Sequence, residues 1–192
     1  MLGRMRIIAG SAGGVPLFSP KTDARPTTDR VRQAVFSKID RRLAGARVLD
    51  LFAGSGAMGL ECLSRGSASA VFVDKARPCA DLIRRNAEKT KLAEKATIHA
   101  SDVFGWLRTA PTGAFDLVFA DPPYRRALDD PDLAGDLLRS PDLPRLLAPG
   151  GLLVLESISR DALLIPAPWI LDDQRSYGVT QMSFLRPAPS SP

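Results

Sequence analysis

A chain of 192 residues with 45% hydrophobic and 24% charged side chains is long enough to bury one core and too apolar to stay unfolded. Two cysteines, Cys62 and Cys79, lie outside any CxxC pair and His99 is the only histidine, which excludes a zinc cluster and a disulfide framework. The net charge of +5 is uneven: residues 1 to 47 hold ten basic and three acidic side chains, so +7, leaving −2 for the rest. That asymmetry points to a polyanion at the N-terminal end, although a solvated helix face would look the same.

In chain order, the opening "MLGRMRIIAG" is too poor in apolar residues for a signal peptide, and no run reaches the roughly 18 apolar residues of a membrane span. With the cysteines read as reduced core thiols, a cytoplasmic protein is expected. "RMRIIAG" and "VPLFSP", joined by "SAGG", predict a small hairpin. "RPTTDRVRQAVFSKIDRRL" predicts a helix capped by Thr27 or Thr28, with Val31, Ala34, Val35, Ile39 and Leu43 at helical spacing. Arg30, Lys38, Arg41 and Arg42 fall on its opposite face. From residue 47, "RVLDLF", "SAVFVD", "ATIHA" and "FDLVFA" read as strands. Helical patterns separate them: one from Ala57, one over 77 to 89 and one over 102 to 109. The expected fold is therefore α/β and Rossmann-like, a mostly parallel sheet with helices on both faces. "PDLPRLLAPGG" predicts a helix closed by glycines and "LLVLES" a fifth strand. "PWILDD" and "GVTQMSFL" predict a terminal antiparallel hairpin, making seven strands, and the end of "RPAPSSP" a disordered tail over 187 to 192.

Ligands of open α/β sheets bind beyond the carboxyl ends of the strands. The first strand ends in "DLFAGSGAMG", where Gly54, Gly56 and Gly59 spell G-x-G-x-x-G and Asp74 follows Gly54 by twenty residues. A nicotinamide dinucleotide site has that spacing. Asp50, however, would meet a pyrophosphate with like charge, and His99, the remaining proton-transfer candidate, sits inside an apolar strand. A cofactor with an ammonium, a carboxylate, a ribose and an adenine but no phosphate suits the acids better, and S-adenosylmethionine is that molecule. "LDLFAGSGAMGLE" resembles the first motif of class I methyltransferases. The resemblance implies that Asp50 and the loop Phe52, Gly54, Ser55 and Gly56 hold the methionine end. It implies too that Asp74, with Lys75 beside it, takes the ribose, and that Asp102 and the Val103 N–H reach the adenine. Asp102 could equally be the N-cap of its helix, and Asp74 a first-turn acid.

The fourth strand ends in Asp121-Pro122-Pro123-Tyr124. Two prolines end a hydrogen-bond ladder and make a stiff corner. The motif resembles the [D/N/S]-P-P-[Y/F/W] of enzymes that methylate exocyclic amines on flat bases. That likeness implies that Asp121 and the Pro122 carbonyl hold the amine while Tyr124 stacks on the base. "MRIIAGSAGGVPLFSP", "RPTTDRVRQAVFSKI", "LDLFAGSGAMGLECLSRG" and "FDLVFADPPY" together resemble the bacterial 16S ribosomal RNA guanine-N2 methyltransferase family over nearly the whole chain. Gln33 and Val35 stand where an "EALF"-like run is expected. The family resemblance implies methylation of guanine N2 in 16S rRNA (guanine 966 in the RNA numbering), within the small subunit or its assembly intermediate, by a monomer. It implies an RNA-facing extension over 1 to 46, with Arg25, Arg30 and Arg32 on RNA, and a methyltransferase domain over 47 to 186. The alternatives are an amino-methyltransferase acting on DNA or another RNA, and the dinucleotide oxidoreductase.

Overall fold

The computed structural model describes residues 5–19, 29–125, 129–159 and 163–189. After helix α1 (Asp29–Ile39) and a short turn of 3₁₀ helix, the chain alternates strand and helix: β1 (Arg47–Leu51), α2 (Ala57–Ser64), β2 (Ser69–Asp74), α3 (Arg77–Lys89), β3 (Ala96–Ala100), α4 (Val103–Thr109) and β4 (Phe115–Ala120). Helices α5 (Leu133–Arg139) and α6 (Asp142–Leu146) lead to β5 (Leu147–Ile158), and β6 (Trp169–Tyr177) and β7 (Thr180–Pro187) close the chain. One seven-stranded sheet results, in the order β3-β2-β1-β4-β5-β7-β6. The first five strands pair in parallel, and β7 pairs antiparallel with both β5 and β6.

Successive side chains of a strand point to opposite faces, and the apolar runs here bury both. On β4, Leu117 and Phe119 join the core under α1, α2 and α3, whereas Val118 and Ala120 join the core under α4, α5 and α6. Central strands with near-continuous apolar sequence are what a doubly covered parallel sheet requires. The first core takes Val35 and Phe36 from α1, Leu60 and Leu63 from α2, Ile83 from α3, and also Ile7 and Leu17 from the N-terminal segment.

Several expectations shift. Residues 5–19 form an irregular hairpin with one isolated bridge, Arg6 to Pro16; Ile7 N–H donates to the Val15 carbonyl, Gly14 N–H to the Ile7 carbonyl and Leu17 N–H to the Met5 carbonyl. Side chains of the helices beneath moor it: Glu61 accepts from the Ile8 and Ala9 N–H groups, Ser64 Oγ from Ala12 N–H, and Asn86 from Phe18 N–H. The first helix ends at Ile39, and its expected caps Thr27 and Thr28 lie outside the described residues. The helix foreseen over "PDLPRLLAPGG" shortens to α6, because Leu147 to Gly151 already belong to β5. Helix α5 went unforeseen; its Asp132 cap accepts from Gly135 N–H. Strand β7 holds Pro187, so the tail starts later than expected, and its last residues lie outside the described set.

The N-terminal charge also divides. Arg47 pairs with Asp116 at the start of β4, Arg42 donates to the Gly150 carbonyl, and Lys38 pairs with Asp173. Arg47 opens its strand, so it stands at the end of the sheet opposite the carboxyl ends. A sum over sequence position therefore overstated the basic surface available at one end.

Candidate active site

The strand order reverses between β1 and β4, which places the crevice at their carboxyl ends. Three strand ends carry the acids found from sequence: Asp50 in β1, Asp74 closing β2, and Asp121 directly after β4. Asp102 follows β3 by two residues.

The β1–α2 turn is tight. Phe52, Gly54 and Gly56 adopt φ of 55°, 53° and 76°, and Phe52 is strained there because it has a Cβ. Gly59 is required for a different reason: an added Cβ would lie 2.4 Å from Phe72 Cε1 and 3.2 Å from Asp50 Oδ2. The turn's glycine amides are already engaged. Gly54 N–H donates to Asp74 Oδ2 at 2.9 Å, Gly56 N–H to the Ala53 carbonyl at 2.7 Å, and Gly59 N–H to Asp50 Oδ2 at 2.9 Å. The twenty-residue spacing is thus a direct contact. Asp74 Oδ1 also accepts from Ala76 N–H.

This arrangement discriminates between cofactors. A dinucleotide needs free loop amides and an uncompensated helix N-terminus for its pyrophosphate. Here carboxylates take two of those amides, and a third acid faces them across the crevice. The acids fit a ligand that brings a cation, hydroxyls and an amine, and S-adenosylmethionine has those groups; the residues present therefore fit it. Burial, with a further push from Asp74, raises Asp50 to about 7 despite the Gly59 hydrogen bond. A buried carboxyl in that state is receptive to an ammonium neighbour.

At β4, loss of solvation among the crowded strand ends, followed by the charges of Glu156 and Asp50, pushes the Asp121 carboxyl well above the usual range. The residue still presents surface to solvent, so the upward direction rests most firmly on the two facing acids. Tyr124 is half-buried and its hydroxyl donates to Glu156 Oε1 at 2.5 Å, with Thr180 Oγ1 at 3.4 Å. Burial and the Glu156 charge raise the phenol above its ordinary value.

The other expected residues divide. Ser55 is buried; its hydroxyl donates to the Met5 sulfur and its carbonyl accepts from Asn86 Nδ2. Lys75 is exposed. Asp102 is the N-cap of α4, accepting from Gly105 N–H at 2.8 Å, while Val103 is buried against the sheet. His99 packs on Trp106, ring centroids 5.5 Å apart, away from any reactive role. Pro122 is buried at the corner after β4. Arg30 is exposed at the start of α1, and Arg25 lies outside the described residues. Arg32 corrects an expectation: at 1% exposure, with Nη2 donating to the Arg6 carbonyl and to Asp29, it is walled off from an RNA backbone. Its spacing from Val31, Val35 and Phe36 turns it inward, against the charge of its head.

Sequence reasoning missed Glu156, although it closes "LLVLE" in β5 as the other acids close their strands. It also missed Glu61, Ser64 and Asn86, polar residues on apolar helix faces that turn out to hold the N-terminal segment.

Fold and donor set define a class I methyltransferase that uses S-adenosylmethionine. The chain belongs to the family described as Conserved hypothetical protein 95, which it matches over residues 5–186. The ribosomal RNA small subunit methyltransferase D of Escherichia coli K12 is 35% identical over 178 residues, covering 92% of this chain and 86% of that one. The Haemophilus influenzae protein of the same name is 29% identical over 181 residues, covering 92% and 91%. Among solved structures, Escherichia coli yhhF superposes with a TM-score of 0.81 at 29% identity, covering 98% of this chain and all of that one. A hypothetical protein of Thermus thermophilus superposes with a TM-score of 0.75 at 35% identity, covering 94% and 98%.

Proposed function

We propose that this protein methylates the exocyclic N2 amine of one guanine in small-subunit ribosomal RNA, at the position numbered 966. The chain is an S-adenosylmethionine-dependent rRNA methyltransferase. The observation that carries the amine assignment is Asp121-Pro-Pro-Tyr124 at the switch point, beside the glycine turn that follows β1. The relatives' shared name supplies the small subunit.

S-adenosylmethionine supplies an electrophilic methyl on a cationic sulfur. Asp50 and the turn Phe52 to Gly56 hold its methionine end, Asp74 with Lys75 its ribose, and Asp102 with the Val103 N–H its adenine. Asp121 and the Pro122 carbonyl accept hydrogen bonds from the amine protons. These contacts would orient the nitrogen lone pair, otherwise delocalised into the ring. The cofactor would supply the methyl group and be left as the neutral thioether, and Asp121 would take the amine proton released. Orientation supplies most of the rate, since a positioned reactant gains far more than proton removal does. Tyr124 stacks on the base, worth about 1–3 kcal/mol at nucleic-acid sites.

Arg30 and Arg25 meet RNA phosphates, and residues 1–46 form the RNA-facing side of a monomer acting in the cytoplasm on the subunit or its precursor. Among the described residues no helix is long and apolar enough to cross a membrane. Labelled methyl transfer into small-subunit particles, with the product nucleoside identified by mass spectrometry, tests the reading: N2-methylguanosine supports it, and label on a ring carbon, a ribose oxygen or adenine overturns it.

A further inference from the structure

Glu156 has no part in the assignments above. It lies near the carboxyl end of β5, 6% exposed, in the strand next to β4. Three observations converge on it. Its Oε1 accepts the Tyr124 hydroxyl at 2.5 Å, a length typical of a hydroxyl donating to a charged carboxylate and roughly twice as strong as a neutral contact. Thr180 Oγ1 of β7 lies 3.4 Å from the same hydroxyl, so the ring's outer end is held from two strands. Lastly, burial and then the Glu156 charge disfavour ionisation of Asp121.

We propose that Glu156 is a positioning residue for methyl transfer, fixing the Tyr124 ring through its hydroxyl. The inference rests on the amine-methylating reading of Asp121 and Tyr124. A ring carried only by the backbone of a surface corner would swing about χ1 and χ2; the hydroxyl contact removes that freedom before the base arrives.

Glu156→Gln keeps an acceptor for the hydroxyl but removes the charge, and Glu156→Ala removes both. Tyr124→Phe removes the hydroxyl and keeps the ring. Single-turnover methyl transfer into small-subunit particles, at saturating RNA and cofactor, separates the roles. The expected rates fall by a few-fold for Gln and by about 10- to 100-fold for Ala, the range that a misplacement of about 1 Å produces. The double variant Glu156→Ala/Tyr124→Phe is expected to lose little beyond Tyr124→Phe alone, because both changes remove the same contact. Tyr124→Phe, which keeps the ring and loses the hydroxyl, slows transfer by about tenfold. Cofactor affinity, measured by calorimetry on the same preparations, stays at the wild-type value and certifies the fold. Wild-type rates in Glu156→Ala would overturn the proposal, as would equal rates in Glu156→Gln and Glu156→Ala or a rate loss that tracks lost cofactor binding. If wild-type protein methylates no guanine amine, the functional reading itself fails, and that result is separate from any difference among the variants.

Discussion

The two halves of the crevice are built by opposite means. On the β1–β2 side, every acid near the glycine turn has backbone partners: Asp50 takes Gly59 N–H and Asp74 takes Gly54 and Ala76 N–H. On the β4–β5 side, Asp121 confronts Glu156 and Asp50, and Glu156 accepts from a phenol hydroxyl. The first half is a finished mould whose geometry the chain sets by itself. The second, on the proposed reading, would gain from a bound amine that donates two N–H groups. Binding of a common cofactor needs a rigid cradle, whereas selective reaction of a weak nucleophile gains from contacts that improve as the reaction proceeds.

The strongest way to break this comparison is Asp121→Ala, which should cut single-turnover transfer by orders of magnitude while S-adenosylmethionine affinity by calorimetry stays put. Asp121→Asn, retaining an acceptor oxygen, should keep more activity; wild-type rates in Asp121→Ala would end the amine-positioning account. On the other side, Gly59→Ala drives a Cβ to 2.4 Å from the Phe72 ring and should cost about 1–3 kcal/mol of stability, as overpacking does, visible as a lowered denaturant midpoint. Asp74→Ala loses a charged acceptor and leaves Gly54 N–H without its partner. It should weaken cofactor binding by roughly 1.5–3 kcal/mol per hydroxyl contact before compensation, with transfer at saturating cofactor much less affected.

A gentler probe is pH. With Asp50 raised to about 7 in the cofactor-free protein and near 3.9 when unfolded, the native state holds this proton more tightly. Its contribution therefore lowers stability progressively as pH rises from about 4 to about 7. An ammonium partner reverses the preference, so cofactor affinity should tighten as pH rises, by up to about tenfold per unit, and level off above about 7. Affinity that is flat from pH 5.5 to 8 would remove Asp50 from the ammonium. The smallest effect is expected from Arg30→Ala, which should reduce the salt slope of RNA binding by about one phosphate contact. Arg32→Ala should instead lower the melting temperature, because it removes a buried partner of Asp29 and of the Arg6 carbonyl.

How much of this was legible follows from the range of the interactions. Strand ends and helix periodicity are local, so β2, β3, β4 and α3 match their sequence patterns, and the acids at three strand ends mark the crevice. The Asp74 to Gly54 contact was legible as a spacing because the intervening β–α–β unit has a nearly fixed length. Arg32 was misjudged because charge argues for the surface while its helical phase argues for the interior, and the phase prevailed. Glu156 escaped because its meaning depends on Tyr124, 32 positions away, across a loop whose length encodes nothing. Helix α5 is short and rests on its cap and its packing more than on periodicity.

Glu61, wholly buried in α2, accepts from the amides of Ile8 and Ala9 and from Arg65. Ile8 precedes it by 53 positions, and Phe18 precedes Asn86 by 68. During synthesis, the N-terminal segment therefore emerges well before the side chains that bind it, and it stays without its mooring until α2 and α3 have left the exit tunnel. Trimming the segment through Phe18 would take both amide donors from the buried Glu61 and leave it Arg65, so the segment is part of the folded core and not a dispensable arm.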